Sequence, residues 1–163
     1  MSSFTKAHAA ITYDAQASAI LGKDYWRNLG FFRFYIGAEG SKEWVDVEAG
    51  VLSDGATVPF PVNALIPAWG SYGQAVLLHD RLCNTYYKYV EVNGVVTKVD
   101  IDRAEIDSIL AEAMEVLKVS PTKRATIMAG IHTYRIVTRP KQPVRRPERV
   151  RLEANYNPAN FVF

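Results

Sequence analysis

His79 and Asp80 are the residues of this chain whose types and setting most plainly invite chemistry. They interrupt an apolar run, Val76-Leu77-Leu78-His79-Asp80-Arg81-Leu82-Cys83. At helical spacing His79 lines up with Ala75, Val76, Leu82 and Cys83, and Asp80 with Val76, Leu77, Cys83 and Asn84. A surface helix turns such residues to its wet side. No wet side is evident here, so at least one of the pair is expected to be buried. Burying an unpaired carboxylate or imidazole is costly; the pair therefore needs partners, a metal ion or a catalytic task. A third anomaly is Asp107, whose helical neighbours are Arg103, Ala104, Leu110, Ala111 and Met114. It sits by the apolar stripe, away from the acidic face of Glu105, Glu112 and Glu115. Two packed helices would bring His79, Asp80 and Asp107 together, and the loop holding Asp54 lies just before the first of them.

One imidazole and two or three carboxylates can do several things. Carboxylates suit calcium, magnesium or manganese, and an imidazole extends the choice to zinc. A metal held by His79, Asp80, Asp107 and Asp54 would lower the pKa of a bound water and drive hydrolysis. Without a metal, His79 oriented by Asp107 could serve as a general base. The structural alternative stands beside these. A buried histidine–aspartate pair can fix helix packing, Asp54 can be a turn residue, and Asp80 can pair with Arg103 or Arg124.

The elements that must position these residues can be read from pattern and punctuation. Residues 1–30 give only weak patterns. Phe31–Ile36 reads as a buried strand closed by Gly37, and Trp44–Glu48 as a half-buried one with Val45 and Val47 inward. Val51 and Leu52 continue or follow it. Asp54-Gly55 with Pro59 and Pro61 excludes a regular element there, and Asp54 suits an Asx-turn. A short helix is expected over Val62–Ile66. Ser71 with Gln74 has the form of a capping box opening a helix to about Tyr89. Asn93-Gly94 between Tyr89–Val92 and Val95–Val99 marks a β-hairpin. Asp102 with Glu105 opens a second helix to about Lys118, and Ser120-Pro121 a third to about Val137. Prolines at 140, 143, 147 and 158 argue against a helix beyond Thr138. The expected fold class is α+β: a small antiparallel sheet with a β-hairpin, packed on three main helices, and an extended C-terminal tail. Residues 1–137 form one domain and residues 138–163 a basic, proline-rich tail.

Composition agrees with a globular domain, with 48% hydrophobic and 22% charged residues in 163. Cys83 stands alone, which excludes an intramolecular disulfide framework and a cysteine-only metal knuckle; it reads as a buried thiol. No signal peptide and no apolar stretch near the ~20 residues of a membrane span is seen. The net charge of +2 hides an asymmetry: residues 138–151 hold six basic residues against Glu148 alone, so the remainder is mildly acidic. The tail therefore reads as a solvated segment or as an arm that docks on neighbouring subunits, with Phe161-Val162-Phe163 able to add a strand or fill a pocket. Nucleic-acid binding ranks below docking, because no aromatics interleave the arginines.

Four blocks together resemble a known family. They are Asp54-Gly55-Ala56-Thr57 with Pro59; Trp69-Gly70 with Tyr72-Gly73; Leu78-His79-Asp80; and Arg103-Ala104 with Asp107 and Ala113-Met114. They are similar to a domain of unknown function, number 1353, common in tailed bacteriophages and prophages, across roughly residues 50–137. Its pattern runs T-D-x-A-S-x-P, W-x-x-Y-G, L-H-D-x-L-Y and R-x-x-A-D-x-x-F-x-x-A-M. Cys83 departs from an aromatic position, Ile106 from an alanine, and Ile109 and Leu110 occupy the region of a phenylalanine. The resemblance implies a phage origin and supplies no activity. The His79-Asp80 doublet after a glycine-containing loop also resembles secreted phospholipase A2, where the histidine is the base and the aspartate binds calcium; the cysteine framework of that family is absent here.

Two functions follow as expectations. One is a small hydrolase-like domain, metal-dependent or not, acting on a cell-wall or other host component through His79, Asp80, Asp107 and Asp54. The other is a virion protein of the tail or connector, whose histidine–aspartate cluster is structural and whose residues 138–163 contact other phage proteins. Either would be made in the host cytoplasm, and the second carried in the virion.

Overall fold

A computed structural model describes residues 1–6, 8–55, 69–139 and 146–161. The expected helix at Val62–Ile66, residues 56–61 of the loop expected over Ser53–Pro61, and the last two residues lie outside them. The elements in chain order are β1 (Ser3–Phe4), β2 (Ile11–Tyr13), α1 (Ala15–Leu21), β3 (Trp26–Asn28), β4 (Phe32–Tyr35), β5 (Glu43–Val47), β6 (Leu52–Ser53), α2 (Gly73–Thr85), β7 (Tyr87–Val92), β8 (Val95–Asp100), α3 (Arg103–Val116), α4 (Pro121–Thr138) and α5 (Pro147–Ala154), followed by a 3-10 turn at Pro158–Phe161.

The fold is α+β. Five antiparallel strands run β1-β4-β5-β7-β8, and a second antiparallel sheet runs β2-β3-β6. Phe32 pairs with Val47 and Phe34 with Val45. Alternation sends all four to one face, where they bury against α2 and α3 through Leu77, Leu78, Ile106, Leu110 and Met114. On the other face Trp44 is covered by the Arg33 guanidinium, 4.4 Å from its ring centre, and by Tyr89. The Asn93-Gly94 turn has positive φ at both residues (53° and 77°), the geometry of a type I′ hairpin.

Helix α2 is buried nearly all round: Gly73 through His79, Arg81 and Leu82 are all inside. That accounts for the missing wet side. Its ends differ from expectation. Ser71 does not cap it; the N-cap is Tyr72, and Gln74 is buried with its Nε2 donating to the Lys6 carbonyl. The helix ends at Thr85 because Tyr86 adopts a left-handed conformation and its N–H closes on the Leu82 carbonyl; the chain then enters β7 directly. The other two caps form as read. Asp102 accepts from the Glu105 N–H at 2.8 Å, and Ser120 from that of Lys123, with Pro121 at the first helical position.

The tail is not extended throughout. Pro147 occupies the first turn of α5, where its missing N–H costs nothing. Helix α5 packs on its own chain, against α1 and beside β6. Leu52 of β6 faces outward from its pairing with Arg27. Its N–H donates to Glu153 Oε1 at 2.9 Å, and its carbonyl accepts from Arg149. Two side chains of α5 thus cover an open strand edge. Arg27, paired with Asp14 at 2.6 Å, donates to the carbonyls of Gly50 (2.8 Å) and Leu152 (3.0 Å). Gly50 has φ +94°, and a Cβ there would stand 2.7 Å from Tyr156 Cβ. Gly50→Ala is therefore expected to cost about 1–3 kcal/mol, read as a lower urea midpoint, with earlier proteolysis of residues 147–161 than in the wild type.

Candidate functional site

The four residues singled out from sequence are placed as two pairs, His79 with Asp107 and Asp80 with Asp54. Consecutive helical side chains diverge by about 100°, so His79 and Asp80 leave α2 in different directions. His79 reaches α3: its Nε2 lies 3.0 Å from Asp107 Oδ1. Asp80 turns to β6 and the loop after it, where it accepts from the Ser53 hydroxyl. The expectation that all three meet between two helices holds for His79 and Asp107 and not for Asp80. Nor does Asp80 pair with Arg103 or Arg124, which serve Asp107 and Glu115.

Asp107 is 2% exposed and is surrounded by donors. Besides His79 it takes Arg103 Nε at 3.1 Å and Arg135 Nη1 at 3.3 Å. Burial pushes its carboxyl up, but the hydrogen bond from His79 and the Arg103 guanidinium outweigh this and hold it below the usual carboxylate range. An ionised Asp107 requires His79 Nε2 to carry the proton that it donates. Burial, joined by the Arg103 charge, pushes the imidazole pKa down against that hydrogen bond. His79 is thus a neutral imidazole in a fixed tautomer, with its lone pair on Nδ1. This is the arrangement of a histidine base steered by a carboxylate.

Asp80 is the opposite case. Burial, then the nearby Asp54 carboxylate, push its pKa up to about 7 against the pull of Arg149 and the Ser53 hydrogen bond. It is still partly protonated near pH 7, where an ordinary aspartate is fully ionised. Asp54 itself is ion-paired with Lys23. Cys83, one helical turn after His79, has Sγ 3.7 Å from both ring nitrogens. Burial pushes its thiol up to about 12, so it is a protonated thiol and not a thiolate nucleophile.

These groups share a cavity of about 230 Å³, lined among others by Lys23, Asp54, His79, Asp80, Cys83 and Arg103. Asp107 is behind His79 rather than on the wall. Lys23, Ser53, Arg135 and Arg149 were not foreseen. Lys23 falls in the stretch with no readable pattern, and Arg149 in the segment read as tail; Arg135 is one of the two arginines of α4, the other being Arg124. Among the described residues no group of three or more His, Cys, Asp or Glu side chains is placed to hold a metal ion. A cation would have to draw the two pairs together and displace guanidinium from Asp107. Among the described residues, too, no helix is long and apolar enough to cross a membrane.

The hairpin, β4, β5, α2, α3 and the first half of α4 are the segment that a family match covers. The family described as "Protein of unknown function (DUF1353)" matches residues 33–131, which include His79, Asp80 and Asp107. Searches of curated proteins and of solved structures each found no match. With the greater part of its length matched, and the histidine–aspartate pair inside the match, the chain belongs to the DUF1353 family.

Proposed function

We propose that this chain is a small acid–base hydrolase-like domain in which His79 is the base, Asp107 its positioning residue and Asp80 the acid. The observation that carries the reading is geometric: His79 and Asp80 line one cavity from consecutive helical positions, while Asp107 takes the far nitrogen of His79. Their surroundings push the two pKa values in opposite senses, one leaving a neutral base and the other a carboxyl that is still partly protonated near pH 7. His79 Nδ1 would take a proton from an attacking water, and Asp80 would give one to the leaving group. The resemblance to phage domains points to a cell-wall or other host component as substrate, met in the host cytoplasm or at the cell envelope.

The test is hydrolysis of purified peptidoglycan, followed as released fragments, beside a panel of simple esters and amides. His79→Ala and Asp80→Asn are each expected to lose about 10²–10⁴-fold in rate while remaining folded by circular dichroism. Unchanged rates in both would overturn the assignment. Melting with EDTA, and with calcium, magnesium, manganese or zinc, decides the metal-dependent form of the same reading. A metal-specific rise absent in His79→Ala would favour it, because an ion that binds only the native state stabilises by mass action.

A second reading, a virion protein of the tail or connector, is favoured by a different observation. The last turns of α4 expose Ile136 (67%) and Val137 (76%), an apolar pair with a subunit's surface as a natural cover. This reading predicts stoichiometric amounts in purified particles, lost when residues 139–163 are removed.

A further inference from the structure

A separate cavity of about 390 Å³ opens beside the described site, between β5, the end of α2, the hairpin and α5. Its wall carries Arg81, Lys98, Arg146 and Arg149, with Glu48 and Glu153 as its carboxylates. Both carboxylates are already engaged. Arg81 grips Glu48 with two bonds, Nε to Oε2 at 2.7 Å and Nη2 to Oε1 at 3.0 Å, and Arg149 holds Glu153 at 3.1 Å. Lys98 and Arg146 have no carboxylate within ion-pair distance among the described residues. Lys98 lies 4.5 Å from the centre of the Tyr87 ring, and Arg146 donates to the Leu21 carbonyl at 3.5 Å. The four cations and two carboxylates among the described lining residues thus leave the cavity with a net charge of +2.

Two further features agree. The Arg81 side chain is 9% exposed, and its Nη1 has no acceptor among the described residues; a buried guanidinium with one arm unanswered is uncommon. Tyr87, whose hydroxyl takes Arg81 Nη2 at 2.8 Å, has a phenol that burial pushes up, yet hydrogen bonds from Arg81 and its neighbours Tyr89 and Lys98 bring it below its ordinary value. A positive field favours anions whether they are tyrosinate or ligand.

We propose that this cavity binds the oxyanion group, phosphate or carboxylate, of a small ligand, held by Lys98 and Arg146 against the Arg81–Tyr87 wall. Guanidinium and ammonium donors match such oxygens through charge-assisted hydrogen bonds. Lys98 and Arg146 make no hydrogen bond or ion pair with His79 or Asp80, and Arg149, on the wall of this cavity, is the one residue here whose charge also acts on Asp80.

The experiment uses the full chain and two probes, inorganic phosphate and malonate, each compared with sodium chloride at matched ionic strength. Melting temperature and calorimetric titration are the readouts. A saturable rise with one or both probes is expected, retained in His79→Ala. In Lys98→Gln/Arg146→Gln, both exposed positions whose loss leaves the core intact, binding should weaken about tenfold or more. A response to phosphate alone marks a phosphoryl ligand, and one to malonate a carboxylate. A rise that chloride reproduces, or one that survives in the double variant, overturns the proposal.

Discussion

Replacing Asp107 by alanine should lower the unfolding free energy by about 3–5 kcal/mol, the range for removing one partner of a buried ion pair. Three donors from three helices converge on this carboxylate: His79 of α2, Arg103 of its own α3 and Arg135 of α4. Alanine leaves the buried His79 N–H with no acceptor and two guanidiniums with no counter-charge. The cost is mainly that of stranding these groups, not of losing any one bond. The linkage sign agrees. Asp107 is held below the usual carboxylate range, so its contribution is present above the unfolded pKa and lost as pH falls through the folded one. Urea denaturation at pH 7 measures the effect, and repeating it at pH 3 should find wild type and variant closer together. A loss below about 1 kcal/mol at pH 7 would be the value of an exposed pair, and would mean that Asp107 does not tie these helices.

Asp80→Asn should act in the other direction. The carboxyl of Asp80 is raised from 3.8 to about 7, chiefly by burial and then by Asp54. The native state therefore keeps a proton that the unfolded chain releases. Its favourable contribution is complete below the unfolded pKa, declines as pH rises from about 4, and is gone above about 7. Asparagine has no charge to bury and can still accept from the Ser53 hydroxyl. The variant should match the wild type near pH 4 and exceed it at pH 8, by an amount on the order of a few kcal/mol. Stability curves at the two pH values check this, and equal stability at pH 8 would contradict it. Paired with lost hydrolysis, a stabilised Asp80→Asn would have the signature of a group kept at a cost to stability because it works. Stabilised but with the hydrolytic rate unchanged, it would leave Asp80 a packing residue.

How much of this was legible depends on where each interaction is encoded. Asn93-Gly94, Asp102 with Glu105, and Ser120-Pro121 act within four residues, so the hairpin and the starts of α3 and α4 could be read directly. His79 and Asp107 were legible because each breaks an apolar stripe, and a polar residue in such a place needs a partner. The direction of Asp80 was not, since its hydroxyl partner is on a two-residue strand too short to show alternation. Strands β1, β2, β3 and β6 have two or three residues each, below the length at which a period of two can be recognised. Ser71 and Gln74 misled for a different reason. Their spacing fits a cap, but the Gln74 amide was claimed by the Lys6 carbonyl, 68 positions away. In the tail, counting prolines hid the fact that one proline at the right place begins a helix.

The cover that α5 provides for β6 has a consequence in time. Leu52 meets Arg149 and Glu153 across 97 and 101 positions of chain. During synthesis the outer edge of that strand must wait for them, with its amide and carbonyl facing only water. Asp80 waits too, because Arg149 supplies part of the positive charge around it. The cavity walls from β6, α2 and α3 can form earlier, but the electrostatic setting of the site cannot be completed until residue 149 has been added to the chain. A nascent chain stalled before residue 149 would hold His79 against Asp107, yet its Asp80 would titrate differently from that of the finished protein.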